Sequence, residues 1–400
     1  MTTPPPTTGL TGHARAIVKA LLLGGQQSRA ALSEEVDLSA GSLTRLTKPL
    51  IAAGLILEQP PSDPQPGLGR PSVPLVFNHA AFRFVGIKLT KTHAFGALTQ
   101  ANAVIEHQHE LPLADQSPGA ALTAITEIIA ALAALSPVAV TAVGITLGGH
   151  VDRFRTVTHA DHLGWDHIPL ADLVERATGI TTVVENDIVA QTQATHWFGE
   201  GANTDSFALF TLGAGIGYGL VTHGQMVDSP EAGFSLLSHF PLLSQRLLEY
   251  GAEVAGSSPA DAHPLTAACG HPACATAMFT LSGLEDRGSR ALGRPVTYPQ
   301  LLALADGGDP VARPFFDASG YALGTALATI ANLTLAPRIV LGGEASELAQ
   351  VAHGALLAGL HEHRDPRTAD PEIRFQAPDL ALWARGAAVV AMHSAVLGRD

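Results

Sequence analysis

From Ser39 to Ala53, apolar and polar positions recur every three to four residues. On a wheel of about 100° per residue, Leu43, Leu46, Leu50 and Ile51 share one face. Gly41, Ser42, Thr44, Arg45 and Lys48 fill the other. Ser39 is placed to cap this helix, and Ser28 to cap a shorter one before it, with a turn at Asp37-Leu38 between them. An earlier helix is predicted from about Thr11 to Leu23, with Ile17, Val18, Ala20 and Leu21 available for a core and Gly24-Gly25 ending it. Pro49 interrupts the amide ladder, but late enough to leave Ser42 to Lys48 undisturbed. After Gly54, the run Leu55-Ile56-Leu57-Glu58 predicts a short strand. A Pro- and Gly-rich stretch from Pro60 to Gly69 and a return strand from Arg70 to Phe77 follow. Three helices and a two-stranded wing make a winged helix-turn-helix.

The pattern changes at Phe84. Phe84 to Leu89 reads as a buried strand, Ala94 to Thr99 as its hairpin partner and Ala103 to Glu106 as a third strand. A long helix is predicted from Gly119 to Leu135 and a strand from Val138 to Thr146. Phe207 to Leu212 is another strand, running into Gly213-Ala214-Gly215-Ile216-Gly217-Tyr218-Gly219. A strand followed by a Gly-rich turn near the start of each half predicts two similar α/β lobes facing a cleft.

The polar face of the Ser39 helix carries small residues, hydroxyls and two cations, which suits a DNA major groove. Ser39, Ser42, Thr44, Arg45 and Lys48 are the candidate contacts there, with Ser28 and Arg29 against the DNA backbone at a helix N-terminus. Gly69-Arg70-Pro71 resembles the core of a minor-groove arm, with Arg70 reaching into a narrow groove. The competing readings are an amphipathic surface helix and an ordinary linker. Net charge over the 400 residues is −13, which argues against nucleic acid until it is divided. Residues 1–78 carry +1 and residues 79–400 carry −14, so an acidic body bears a head able to approach DNA. No apolar run is expected to be long enough to span a bilayer, the Met-Thr-Thr-Pro-Pro-Pro start does not read as a signal peptide, and two cysteines make no disulfide framework. These features predict a cytoplasmic protein that uses no membrane.

Leu163-Gly164-Trp165, Ile168-Pro169-Leu170 and Val184-Glu185-Asn186-Asp187 together resemble the ROK family of repressors and sugar kinases. Residues 213–219 followed by His223-Gly224-Gln225 are similar to that family's second phosphate motif, and Leu341-Gly342-Gly343 to its adenosine-side motif. Trp383 to Leu397 resembles its C-terminal helix, which returns to the first lobe. The resemblance implies an actin-like, two-lobed α/β fold and covers nearly the whole chain.

The resemblance also implies site residues. Asp187 matches the base of the kinases, and Asn186 and Asp187 can bind neighbouring sugar hydroxyls. Gly149 matches a loop passing close to the sugar, with Gly148 replacing the usual proline, and His239 aligns with a motif histidine. The phosphate cradle departs from the kinases. Lys88 replaces the Mg²⁺-side acid, Thr90 and Lys91 replace glycines, and Ala214 replaces a threonine, so no ATP is expected. Leu236 and Thr276 stand where two sugar-binding glutamates are usual, and His162 where an asparagine is. The repressors' zinc loop retains Cys269 and Cys274 but has Ala267 for its first cysteine. His239, Cys269 and Cys274 could supply three ligands to one structural zinc, with His263 or His271 as a fourth. The alternative is two free buried thiols.

The expectation is therefore a disordered tail at residues 1–10 and a winged helix-turn-helix at 11–78. The body spans 79–400, with lobe I at about 79–196 plus 385–400 and lobe II at about 197–384. The expected function is a sugar-responsive repressor of carbohydrate-utilisation genes, acting on double-stranded operator DNA as a homodimer or homotetramer. A sugar, amino sugar or its phosphate between the lobes would shift head spacing through the Pro-rich connection. The rivals are an ATP-dependent sugar kinase with a DNA-binding head and a repressor with no inducer.

Overall fold

The head forms where the caps and apolar periodicity place it. In the computed structural model, which describes residues 10, 12–60, 73–229, 231, 237–242, 247, 249 and 274–398, α1 (Gly12–Gly24) buries Ile17, Val18, Leu21 and Leu22. Gly25 follows at φ 72°, in the left-handed region that ends a helix. α2 (Arg29–Glu35) begins where Ser28 Oγ accepts the Ala31 amide at 3.1 Å. α3 (Ala40–Ala52) begins where Ser39 Oγ accepts the Ser42 amide at 3.3 Å. It buries Leu43, Thr47 and Leu50 and runs through Pro49 to its end. β1 (Ile56–Glu58) pairs antiparallel with β2 (Leu75–Phe77), and both are shorter than the sequence predicts. Residues 1–9, 11 and 61–72, which include Arg70 and most of the proposed wing, lie outside the described residues. Leu10, assigned to a disordered tail, is half-buried and packs against the head core.

The first body sheet has strand order β10-β6-β3-β4-β5. It is built from β3 (Phe84–Leu89), β4 (His93–Thr99), β5 (Ile105–Pro112), β6 (Ala142–Leu147) and β10 (Thr182–Asn186). α4 (Pro118–Leu135) packs on β4 and β5 and is capped by Ser117, whose Oγ accepts the Ala120 amide at 3.2 Å. β7 (His150–Asp152), β8 (Thr156–Ala160) and β9 (Trp165–Ile168) form a separate three-stranded sheet. α5 (Leu170–Thr178) precedes β10, and α6 (Asp187–Phe198) leaves its end directly.

The second sheet repeats this plan. Its strands are β11 (Phe207–Leu212), β12 (Ile216–Thr222), β13 (Gln225–Met226), β14 (Arg338–Gly342) and β15 (Glu372–Phe375), in order β13-β12-β11-β14-β15. In both sheets a first strand pairs antiparallel with the second and parallel with the fourth. The repeat read from two Gly-rich turns is thus a repeat of topology. Helices α7 (Ala275–Phe279), α8 (Leu281–Leu292), α9 (Tyr298–Asp306), α10 (Ala312–Thr334), α11 (Leu348–Val351) and α12 (His353–Glu362) complete the second unit. Its core includes Phe210, Phe279, Phe316 and Leu327.

α13 (Leu380–Met392) and a π-helical turn, His393–Leu397, return to the first unit. Glycines set how closely α13 approaches the sheet. A Cβ on Gly86 would stand 1.9 Å from the Ala384 carbonyl oxygen, and one on Gly144 1.8 Å from that of Ala387. By length and composition, Pro118–Leu135 and Leu380–Leu397 could each cross a membrane, contrary to the sequence reading that no run is long enough. Both bury an apolar face here: α4 through Ile125, Ile128 and Leu132, α13 through residues from Ala384 to Met392.

Two compact units result, Met1–Phe198 with Leu380–Asp400, and Gly199–Asp379. The first unit holds the head together with the first lobe. One continuous core joins Ile17, Leu21 and Leu50 of the head to Phe82, Phe84, Val396 and Leu397 of the body. Phe82 stacks on Phe77 at 5.4 Å and on Phe84 at 6.3 Å, so the chain crosses from head to body through packed aromatic rings. The Pro-rich stretch lies between β1 and β2, within the head, and is not a connection to the body.

Candidate functional site

On α3 the outward residues are those predicted. Gly41, Thr44, Arg45 and Lys48 are exposed and Ser42 is half-buried. Thr44 Oγ1 donates to the Ala40 carbonyl at 2.8 Å, which leaves its methyl group and a lone pair outward. Ser39 bonds Ser42 Oγ at 3.1 Å as well as capping the helix. Arg29 is placed differently from expectation. Its guanidinium donates to Thr47 Oγ1 at 3.1 Å and to Glu58 Oε1 at 2.5 Å, tying α2 to α3 and β1. That makes Arg29 a brace of α3. The buried Thr47 is the partner that the wheel did not reveal.

The body site forms at the end of β10, where open α/β sheets collect ligands. Asn186 is 5 % exposed, and its Oδ1 accepts the amides of Ile188 at 2.9 Å and Val189 at 3.2 Å. Its Nδ2 donates to the Gly149 carbonyl at 2.8 Å. Asn186 therefore caps α6 and fixes the Gly149 loop, with one Nδ2 hydrogen left over from those bonds. Gly149 lacks a side chain because β8 passes there: a Cβ would meet the His159 carbonyl oxygen at 2.5 Å. The close approach is to the protein's own strand.

Asp187 is not a free carboxylate. Lys88 Nζ forms an ion pair with its Oδ2, and both side chains are mostly buried, at 10 % and 14 % exposure. The same ammonium lies 5.1 Å from the centre of the Trp383 ring. A Cβ on Gly148 would stand 3.7 Å from both Asp187 Oδ2 and His162 Cδ2, which puts the exposed His162 at the edge of this group. The sequence reading assigned Lys88 and Asp187 to separate sites. The signal that could have joined them was charge: a lysine replaces an acid one strand away from the only carboxylate proposed to bind sugar.

The segments matching the phosphate motifs are closed on themselves. Thr90 Oγ1 accepts the amides of His93 at 3.0 Å and Thr92 at 3.4 Å and bonds the His93 carbonyl at 3.0 Å. Amides that could face a phosphate are thus used within the β3–β4 turn. In the second unit the Glu344 carboxylate covers Gly213 so closely that a Cβ there would be 1.9 Å from Oε2. A carboxylate against a Gly-rich turn repels a phosphate.

His239 is exposed, so it is not the buried histidine of the alternative reading. Its neighbours pair with the Cys274 segment: Pro241 bridges Cys274, and the Ala275 amide donates to the Phe240 carbonyl at 3.1 Å. Thr276 Oγ1 donates to the Ser238 carbonyl at 2.7 Å, so the residue in place of a glutamate serves the backbone. Cys274 is buried. Leu236, His263, Cys269 and His271 lie outside the described residues, among which no group of three metal-ligating side chains occurs.

The ROK family profile matches residues 84–373, beginning where the head ends. The chain belongs to the ROK family. Its ROK relatives include the DNA-binding transcriptional repressor Mlc of Escherichia coli K12, 24% identical over 358 residues that cover 85% of this chain and 82% of Mlc. Transcriptional regulator Rv0485 of Mycobacterium tuberculosis H37Rv is 28% identical over 349 residues, covering 85% of this chain and 76% of that protein. Among solved structures, a ROK transcriptional regulator described as a homologue of E. coli Mlc superposes with a TM-score of 0.77 at 21% identity, over 96% of this chain and 98% of its own. The ROK hexokinase of Thermus thermophilus superposes at 0.63 and 23% identity, over 78% of this chain and 98% of its own. The fold is thus shared with both classes, and the regulator also matches beyond the part that the kinase covers.

Proposed function

We propose that the protein is a sugar-responsive DNA-binding transcriptional regulator, a repressor of carbohydrate-utilisation genes. It acts in the cytoplasm on double-stranded operator DNA as a homodimer or homotetramer, because two-fold half-sites need paired heads. The observation that carries the choice against a kinase is the Lys88–Asp187 ion pair. The carboxylate in the position of the base is neutralised by the lysine in the position of the metal-side acid. The carboxylate is engaged by that lysine, and an ammonium there repels Mg²⁺. The names of the regulator relatives support the same reading.

Coupling follows two helices. α6 starts at Asp187 and ends where Trp197 packs on His393 at 4.8 Å and Gln193 bonds His393 at 2.5 Å. α13 starts near Trp383, beside Lys88, and continues into the turn whose Val396 and Leu397 enter the head core with Ile17 and Leu21. A ligand that alters the Lys88–Asp187 pair acts on the first turn of both helices, and their far ends hold α1. A tenfold change in operator affinity needs about 1.4 kcal/mol of differential binding.

Electrophoretic mobility shift with the chain's own upstream DNA, with and without sugars, tests the proposal. Specific binding released by a sugar supports it. Sugar-dependent ATP turnover that disappears in Asp187→Asn would promote the kinase. One zinc per chain on His239, Cys269 and Cys274 belongs to the same proposal, supported by the paired backbone of the His239 and Cys274 segments. Metal analysis of purified protein should find about one ion, lost from the double Cys269→Ala/Cys274→Ala variant.

A further inference from the structure

We infer that the second unit carries a binding site of its own, for a small, uncharged, largely apolar molecule with a single hydrogen-bond acceptor. A cavity of about 560 Å³, counted to its open mouth, lies between the second sheet and α10. Phe210 and Tyr218, cross-strand partners on β11 and β12, form one wall. Phe240, Phe279, Ile330 and Leu333 line the rest. Among the described residues no charged side chain lines it, so an ion entering would lose its hydration without gaining a partner.

The depth of the cavity selects its occupant. Its floor is already out of reach of water: Phe279 is 0 %, Ala275 1 % and Phe210 2 % exposed, while Leu333 at the mouth is 79 % exposed. The face of another protein cannot reach that floor, and a small molecule can. The volume falls in the range of small-molecule sites, roughly 300–1,000 Å³, and an apolar cavity holds little ordered water that a ligand would have to displace.

One polar group is left for the ligand. Thr329 Oγ1 donates to the Thr325 carbonyl at 2.9 Å and Thr334 Oγ1 to the Ile330 carbonyl at 2.8 Å, so both hydroxyls that α10 brings to the cavity spend their protons within the helix. The Tyr218 hydroxyl makes no hydrogen bond among the described residues. Burial pushes this phenol above its ordinary 10, which keeps it protonated. A ketone, ether or ester oxygen on an apolar body would take up that proton while the body fills the space beside it.

Equilibrium dialysis of the full-length protein with three probes of one shape tests this: 2-acetonaphthone (one acceptor), naphthalene (none) and 2-naphthoate (charged). The ketone should bind about three- to tenfold tighter than naphthalene, and about tenfold or more tighter than naphthoate. Tyr218→Phe should bring the ketone down to the affinity of naphthalene and leave naphthalene unchanged. Ala326→Leu, which fills the cavity from α10, should abolish binding of both. If circular dichroism shows that variant to be unfolded, Ile330→Phe takes its place. Unchanged ketone binding in the filled variant overturns the site, and no binding by any probe reduces the cavity to a packing defect and overturns it too. Naphthoate that binds as tightly as the ketone overturns the uncharged class, and undiminished ketone binding by Tyr218→Phe overturns the acceptor. Operator binding and sugar titration are separate measurements, so each of these outcomes leaves the proposed function standing.

Discussion

On α3, Arg45 and Lys48 stand in solvent, and among the described residues neither has an ion-pair partner. In the body, Lys88 is held by Asp187, Arg83 by Glu106 at 2.5 Å, and Arg155 by Asp172 and Glu175. The same side-chain chemistry is left open at these two head positions and closed at these three body positions. An open cation is useful to a polyanion, which gains by releasing its counterions. A closed one offers geometry and hydrogen bonds without net charge. The difference explains how a chain of net charge −13 can address DNA through a small part of its surface.

The contrast supposes that head and first lobe are one folded block, and the largest effect should come from the seam that joins them. Phe82 is 0 % exposed between Phe77 and Phe84, so Phe82→Ala should cost about 3–5 kcal/mol. Chemical denaturation should show head and first lobe unfolding in one transition. A head that melts apart from the lobe breaks the comparison at its base.

Opening the closed cation comes next. Asp187→Ala leaves Lys88 without its carboxylate, which should cost about 1.5–3 kcal/mol, read from the denaturation midpoint. The sugar response should vanish while operator binding by the ligand-free variant stays close to the parent. Loss of operator binding as well would mean that the pair holds the head in its active form. The open cations should behave in the opposite way. Arg45→Ala should weaken specific operator binding by about 1–3 kcal/mol and leave the midpoint unchanged. Lys48→Ala should lower the salt slope of binding by about 1, as measured by fluorescence anisotropy across a salt series.

The smallest effect concerns two histidines near the seam. Burial pushes His79 below its ordinary 6.5, against a bond with the Ala101 backbone, and burial together with Lys19 does the same to His196. A depressed histidine means that the unfolded chain binds more protons. The contribution is complete above the unfolded value of 6.5 and is lost as pH falls through the lower folded values. Stability should therefore decline below about pH 6.5, and His196→Gln should flatten part of that slope in a thermal-melt series.

Local rules made the head readable. Ser28 and Ser39 cap helices because each hydroxyl meets an amide three residues on, and the exposed face of α3 follows from a 3.6-residue period. The double sheet was legible from two strand-and-glycine units because β3 and β11 are the central strands of the two sheets. Lys88 and Asp187 were not joined because 99 residues separate them in the chain. Parallel pairing of β3, β6 and β10 brings them together, through Lys88 beside Thr146 and Thr146 beside Glu185. The role of Asn186 had a local signal that was passed over: an asparagine just before a helix is a cap before it is a ligand contact. The shared head–body core was hidden because Phe82, Phe84, Val396 and Leu397 each read as ordinary residues of separate elements.

The return of α13 to β3 and β6 also sets a timetable for synthesis. The head and the strands of the first sheet are translated before Gly199–Asp379, and the helix that covers them comes after. At about 5–20 residues per second, that intervening unit keeps the sheet uncovered for roughly 10–40 s. During this interval Gly86 and Gly144 form an empty groove, and the head core lacks Val396 and Leu397. A polypeptide released early, by a stalled ribosome or a nonsense codon, carries the recognition helix without the segment that completes its core. Completion of the head core therefore waits until translation has passed Val396 and Leu397.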